Sequence, residues 1–320
     1  MTKILQTDKR ILFELDQDAR RSVKKIAKKL HMNRDTVAYR IKQLEKKKII
    51  THYYTLIDAS KLGYILVRLY LKLQNTNEDV EQEIISDLMN RKYNLTVYRT
   101  EGSWEIATGF QVPSIKAFND SYRKFQEKYR RYILEDNVSV FYEFVQYLKN
   151  YLVPEESRNY ESFVTETAEK INYDKIDFRI LKLISDNSKI QLLDIANKMK
   201  MTSMAIKYRL KQLEKKKVIL GYRALIDHTK LGYEYYKVDM QIEDSTKLKK
   251  LQEYCKQHPN IIYENKVIGG FDFEFDIEIE SYEKFYKLIE TMKKRFPGLI
   301  RTHKFYKARK IYKYVYMPEE

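Results

Sequence analysis

Hydrophobic positions fall into two periods along the chain, and both periods recur. Ile11, Leu12 and Leu15 follow helical spacing after Asp8, and Ile180, Leu181 and Ile184 repeat it after Asp177. Ser22 then stands as an N-cap before VKKIAKKL. The turn His31-Met32-Asn33 leads into a third helix from about Arg34 to Lys47. On it Val37, Ile41 and Leu44 lie within about 60° of one another and predict the core face. The later copy reads LLDIANKM, a turn Lys200-Met201-Thr202, and a helix from Ser203 to about Lys216. Two helices joined by so short a turn form a helix-turn-helix pattern. The strand-like stretches IITHYYTLID and VILGYRALID follow, in the manner of the hairpin that ends a winged helix-turn-helix.

The second period is that of β-strands. Residues 65–73 alternate, a helical pattern covers 78–91, a strand pair 95–112, a helix 114–132 and a strand 137–147. The same order returns at 234–242, 246–257, 261–280, 281–295 and 300–316. This β-α-β-β-α-β order is the ferredoxin-like split unit. Phe271, Phe273, Phe275, Ile277 and Ile279 alternate strictly with Asp272, Glu274, Asp276, Glu278 and Glu280, which predicts one buried and one polar face.

The recurrence is a duplication. Residues 8–64 align without a gap on 177–233, and 26 of 57 positions are identical, far too many for two unrelated helical modules. The fold class is therefore α+β, two winged helix-turn-helix domains alternating with two ferredoxin-like βαββαβ sensor domains. The expected boundaries are 1–60, 61–152, a connector at 153–171, 172–229 and 230–320. The connector is acidic, follows Pro154 and is expected to be helical in part.

Charge sharpens the picture. The net charge is +16, and residues 1–64 carry +9 of it while residues 172–233 carry +8. The excess thus sits on the two modules, which points to an anionic partner, double-stranded DNA first. Solvated lysine helices are the bland alternative, weakened because the bias recurs in both modules and nowhere else. Other chemistry finds little footing. Gly (8) and Pro (5) are scarce, and no P-loop or G-x-S-x-G is present. The single cysteine, Cys255, excludes an internal disulfide framework and reads as packing. His31, His52, His228, His258 and His303 lack metal-ligand spacing, so neither a metal nor a cofactor is expected. The chain shows no secretory signal and no run of apolar residues long enough for a membrane helix, and a cytoplasmic location is expected.

The residues quoted so far support a resemblance. D-x-R-I-L at 8–12 and 177–181, Y-R-[IL]-K-Q-L-E at 39–45 and 208–214, and L-I-D-x-x-K-L-G-Y at 56–64 and 225–233 resemble the Lrp/AsnC (feast/famine) regulators, duplicated in tandem. GGFDFEFDIEI at 269–279 and FPGLIRT at 296–302 extend it into the second sensor. The resemblance implies a sequence-specific DNA-binding transcriptional regulator with an effector-responsive, dimer-forming sensor, amino acids being the usual effectors. It places Gly269, Gly270 and Asp272 at an effector site. Where such proteins commonly carry Gly after the recognition helix, this chain has Lys48 and Lys217.

Helix geometry suggests the DNA-facing set. In the first module it is Asn33, Arg34, Thr36, Tyr39, Arg40, Lys42 and Lys46. In the second it is Thr202, Ser203, Met204, Lys207, Tyr208, Arg209 and Lys211. The first helical turn reaches base edges, with Arg34 suited to guanine and Asn33 to adenine, while Lys42 and Lys46 suit phosphates. Met204 could touch a thymine methyl or be a plain surface residue.

Two other readings compete. Sirohaem decarboxylases resemble the tandem outline without binding DNA, but they carry a His-Asn-Tyr type segment where this chain has Thr96-Val97-Tyr98-Arg99 and Ile262-Tyr263-Glu264-Asn265. An architectural DNA-binding protein without an effector is the third reading. A binding protein rather than an enzyme is expected. Its two sensors should pair within one chain as a pseudo-dimer, higher assembly remaining open. The acidic stripe of the second would repel itself, and it complements Arg68, Tyr70 and Lys72, which share the face of 65–73 opposite Val67, Leu69 and Leu71.

Overall fold

A computed structural model describes residues 4–154, 161–166 and 169–317. The first module is α1 (Gln6–Gln17), α2 (Val23–Leu30), α3 (Arg34–Lys46) and strand β1 (Ile50–Ile57). The first sensor follows as β2 (Ile65–Leu73), α4 (Glu78–Asn90), β3 (Asn94–Gly102), β4 (Ile106–Val112), α5 (Ile115–Tyr129) and β5 (Ile133–Tyr147). After β6 (Ser162–Glu166) the second module is α6 (Lys175–Ser185), α7 (Leu192–Met199), α8 (Ser203–Lys215) and β7 (Ile219–Ile226). The second sensor is β8 (Glu234–Ile242), α9 (Leu248–Gln257), β9 (Ile261–Ile268), β10 (Phe273–Ile279), α10 (Tyr282–Arg295) and β11 (Ile300–Tyr314). Among the described residues no helix is long and apolar enough to cross a membrane.

Caps set the module helices. The Ser22 hydroxyl accepts the Lys25 N–H at 3.3 Å, as its place before VKKIAKKL predicts. Asn33 Oδ1 accepts the N–H groups of Asp35 and Thr36, and the Thr202 hydroxyl accepts that of Ala205. At the far ends Lys48 (φ 57°) and Lys217 (φ 58°) adopt the left-handed conformation themselves. Each closes the helix as Gly would, at the steric cost of a Cβ.

The wings depart from the sequence reading. β1 does not fold into a local hairpin. It pairs antiparallel with β7 of the other module, with Tyr54 opposite Arg223 and Thr55 opposite Tyr222. Tyr54 and Arg223 are equivalent positions of the duplication, so an approximate two-fold axis passes between them. The exchange extends into the cores. Ala224 and Ile226 of β7 lie in the core of the first module, and Leu62 lies in that of the second. Asp16 at the end of α1 forms a buried pair with Arg223 at 2.6 Å. Its counterpart is Ser185, facing the same ladder.

The two sensor sheets join edge to edge. β5 pairs with β9 and β11 with β3 in matching registers, Val140 opposite Ile268 and Lys307 opposite Glu101. Because β2 also pairs with β5, the strands β2-β4-β3-β11-β8-β10-β9-β5 close into a barrel. Helices α4 and α5 cover one outer face and α9 and α10 the other, over cores centred on Leu69, Ile85 and Phe125 and on Phe275, Leu251 and Phe285. Cys255 is buried in the second of these cores. Closure changes the reading of β10, whose residues are buried on both faces. The polar half of its alternation faces the barrel interior instead of water. The connector also differs. Residues 162–166 form β6 along the end of β5, not a helix, because β5 offers an unpaired edge there. Of the remainder of the connector, 155–160 and 167–168 lie outside the described residues.

Candidate nucleic-acid interface and barrel cavity

Both third helices turn cationic faces to solvent. Arg34, Thr36, Lys42 and Lys46 are exposed, as are Lys207 and Lys211. Tyr39 and Tyr208 are each 64% exposed and Met204 73%, so these large side chains are not core members. Val37, Ile41 and Leu44, with Ile206, Leu210 and Leu213, are buried as their spacing requires. Asn33 and Thr202 serve as caps, and Ser203 opens the second recognition helix half-buried.

Two residues of the expected DNA-facing set are engaged elsewhere. Arg40 binds Asp8 at 3.0 Å, and Arg209 binds Asp177 at 2.7 Å and Asp174 at 2.9 Å. Both guanidiniums pin the third helix to the first of their own module. The identity of D-x-R-I-L and Y-R-[IL]-K across the repeats thus records an internal ion pair, one that sequence alone cannot tell from a phosphate contact.

The barrel interior holds the acidic stripe. Glu274 is paired with Arg68 of the first sensor and with Lys237 of its own sheet at 2.9 Å. Lys237 also binds Asp239 at 2.9 Å. Asp276 accepts the Tyr235 hydroxyl at 2.7 Å. Burial pushes the carboxyls of Asp239 and Asp276 above their usual range, with Lys237 opposing. Much of the neutralisation therefore comes from Lys237 within the second sensor. Lys72 does not face the stripe. It lies near Glu105 at 3.9 Å, at the surface. Asp272 and Glu280 leave the stripe too, Asp272 accepting the Ile242 N–H and Glu280 pairing with Lys284.

At one end of the second half the interior is closed. Lys149 binds both oxygens of Glu278 at 2.6 Å, and the Tyr151 hydroxyl donates to the same carboxylate at 2.5 Å. Burial raises the Glu278 pKa, but Lys149 and His228 outweigh it and hold the group below the ordinary carboxylate range. Burial holds the His228 imidazole below its own.

The first half differs at each equivalent place. Ala107, Gly109 and Gln111 stand where the second half has Glu274, Asp276 and Glu278, and Tyr316 stands where it has Lys149. A cavity of about 700 Å³ opens there. It reaches from Arg68 and Lys237 past Ala107, Gly109 and Gln111 to β1, β6 and the tyrosines at 314 and 316. Exposed Ile115, Tyr142 and Ile268 form its rim. Gln111 Oε1 and the Tyr316 hydroxyl are buried and without a hydrogen-bond partner. No histidine lines the cavity, and among the described residues no group of three His, Cys, Asp or Glu could hold a metal ion.

Gly269, Gly270 and Asp272 lie outside this cavity. The loop they form presses on β5, where a Cβ on Gly269 would stand 2.7 Å from the Val138 carbonyl and one on Gly270 would meet Glu274 Oε1 at 2.6 Å. Asn137 donates to the Gly269 carbonyl at 2.9 Å. The glycines permit close approach of this loop to β5.

Paired helix-turn-helix modules with basic recognition faces, set on a barrel built from two sensor sheets, define a DNA-binding protein with an interior cavity. The AsnC-type helix-turn-helix model matches residues 6–45 and a winged helix-turn-helix DNA-binding model matches 173–219. A helix-turn-helix transcriptional regulator of Pyrococcus furiosus is 34% identical over 123 residues, 36% of this chain and 79% of that protein. The leucine-responsive regulatory protein of Haemophilus influenzae is 28% identical over 142 residues, 41% of this chain and 81% of that protein. These relatives match less than half of the chain while spanning most of their own length, as a tandem duplication requires. Over the whole chain, the crystal structure of the siroheme decarboxylase NirDL shares the fold, with a TM-score of 0.66, 13% identity and coverage of 97% of this chain and 93% of that one. The chain belongs to the Lrp/AsnC family of helix-turn-helix transcriptional regulators.

Proposed function

We propose that this regulator grips double-stranded DNA with both modules at once and reads an operator with unlike halves. The carrying observation is the pair of exposed cationic helices held about one two-fold axis by the β1–β7 ladder. Lys42, Lys46 and Lys211 serve phosphates. Arg34 and Thr36 read bases in one half, and Ser203, Met204 and Lys207 in the other. Arg40 and Arg209 are left out of that set because their carboxylate partners hold them. The two helices differ at every position from 33/202 to 38/207, so two dissimilar half-sites about one or two helical turns apart are expected. The modules are the first domains of two repeats, with sensors between and after them. The chain acts in the cytoplasm and responds to a small molecule, and pseudo-dimers can assemble further.

The test is a titration of the full chain on DNA across salt. Log K should fall steeply with log salt, about 0.9 per phosphate contact. Lys42→Ala with Lys211→Ala should lower that slope by about two and weaken all sequences alike. Affinity indifferent to salt would overturn the reading.

The whole-chain fold shared with the siroheme decarboxylase supports one competing reading, an enzyme acting on a tetrapyrrole in the barrel. Incubation with sirohaem, followed by absorption, decides it. A spectral change with turnover favours the enzyme, and an unchanged spectrum favours the regulator.

A further inference from the structure

We infer that the space between Gln111 and Tyr316 is a binding site for one uncharged aromatic molecule per chain, bearing both a hydrogen-bond donor and an acceptor. The inference deepens the regulator reading by naming the class of its effector.

The duplication supplies the control. In the second half the equivalent positions are Glu278 and Lys149, which bind each other at 2.6 Å and close the space with the Tyr151 hydroxyl. In the first half both members are neutral, they do not meet, and the Gln111 Oε1 and Tyr316 hydroxyl are both buried without partners. Two orphaned groups at duplicate-related places, flanking a cavity of about 700 Å³, call for something between them. That volume falls in the range of sites for drug-sized ligands, about 300–1,000 Å³. The asymmetry sets the stoichiometry at one, because the twin space is filled.

The charges argue for a neutral ligand. Arg68 and Lys237 both engage Glu274, and Asp276 is held by Tyr235 and Asn265. Glu143 at the wall is paired with Lys266 at 2.7 Å. Glu166, the other charged group of the lining, is exposed. Among the paired groups of the interior a zwitterionic amino acid would have to bury an ammonium and a carboxylate against partners already occupied, which is costly. The walls argue for a ring. Tyr316 stacks on Tyr54 with centroids 4.2 Å apart, and Tyr98 meets Tyr314 edge-on at 6.2 Å. A flat ligand can continue such an array. The donor of the ligand would serve Gln111 Oε1, and its acceptor the Tyr316 hydroxyl.

The experiment is calorimetric titration of the full chain with 5-hydroxyindole, phenol and nicotinamide, and with 5-hydroxy-L-tryptophan as the charged counterpart. Saturable binding of at least one neutral ring near one equivalent per chain is expected, with 5-hydroxytryptophan at least tenfold weaker than 5-hydroxyindole. The double variant Gln111→Glu/Tyr316→Lys, which copies the closing pair of the twin, should lower affinity at least tenfold while circular dichroism is unchanged. Should that variant fail to fold, Tyr316→Phe keeps the ring, removes the hydroxyl and should weaken binding several-fold. Two equivalents per chain, equal binding of 5-hydroxytryptophan, parental affinity in a folded double variant or in Tyr316→Phe, or no binding of any neutral ring at millimolar concentration would each overturn the inference. Because no DNA is present, the result is independent of the operator experiment.

Discussion

The two halves of the barrel interior began as copies and now do opposite things. The second half packs Glu274, Asp276, Glu278 and Lys149 into a buried ionic core, and the first replaces them with Ala107, Gly109, Gln111 and Tyr316 around a cavity. The same divergence appears at the wing ladder, where Asp16 and Arg223 form a buried pair and their counterparts Ser185 and Tyr54 do not. Each half of the interior is built across the repeats, Lys149 coming from the first and Tyr316 from the second, so duplication lets one end carry the structural charge while the other gives up side-chain volume. A homodimer would have to do both with one sequence.

The wing offers the largest test of that contrast. Asp16→Ser leaves Arg223 buried without its carboxylate, and about 3–5 kcal/mol of stability should be lost in denaturant melts. Adding Arg223→Tyr copies the other module and should recover most of the loss. A double variant no more stable than the single one would show that the two ends are not interchangeable.

The closed half comes next, through its pH dependence. The folded-state pKa of Glu278 lies below the ordinary carboxylate value. Its pairing therefore contributes stability above the unfolded pKa, about 4.3, and that contribution is lost as the pH falls through the folded value. Glu278→Gln should flatten this acid limb of a melting profile. An unaltered limb would mean that the Lys149 pair carries no pH-dependent stability.

The recognition helices should show a similar inequality at lower cost. Arg34→Ala should lose about 1–3 kcal/mol of discrimination at one guanine, in one half-site only. Loss of discrimination in both halves, or a selected consensus that is a perfect palindrome, would break the comparison between modules. The smallest effect lies where the modules agree. Lys48→Gly and Lys217→Gly should each stabilise by about 0.5–1 kcal/mol, because both positions already hold the left-handed conformation.

The sequence makes local structure legible and leaves long-range closure hidden. Ser22 and Asn33 mark helix starts because a cap acts within three residues, and the structure begins α2 and α3 one residue after each. The alternation of β10 identifies a strand correctly. That its polar face is dry depends on β2 meeting β5 and on β9 and β11 reaching the other sheet, which no local period encodes. β1 carries a strand signal but nothing that names β7 as its partner. The acidic connector reads as helical by composition, and its residues 162–166 became β6 because an edge was available. Of the DNA-facing set, the exposed lysines follow from helix phase alone, whereas the pairing of Arg40 and Arg209 needed the position of α1 and α6. Gln111 and Tyr316 escaped notice because neither is unusual by itself. They stand out only when the sensors are aligned with each other and Glu278 and Lys149 appear opposite them.

The two-fold axis between Tyr54 and Arg223 has an evolutionary consequence. In a dimer of identical chains, a residue on the axis faces a copy of itself, and an arginine there would confront an arginine. Only once the two copies differed could position 223 carry its guanidinium and position 16 the aspartate that answers it without confronting their own images. Once made, that change acts as a ratchet. A homodimer of the second half would bring two buried guanidiniums face to face, so the second repeat now depends on the first as its partner.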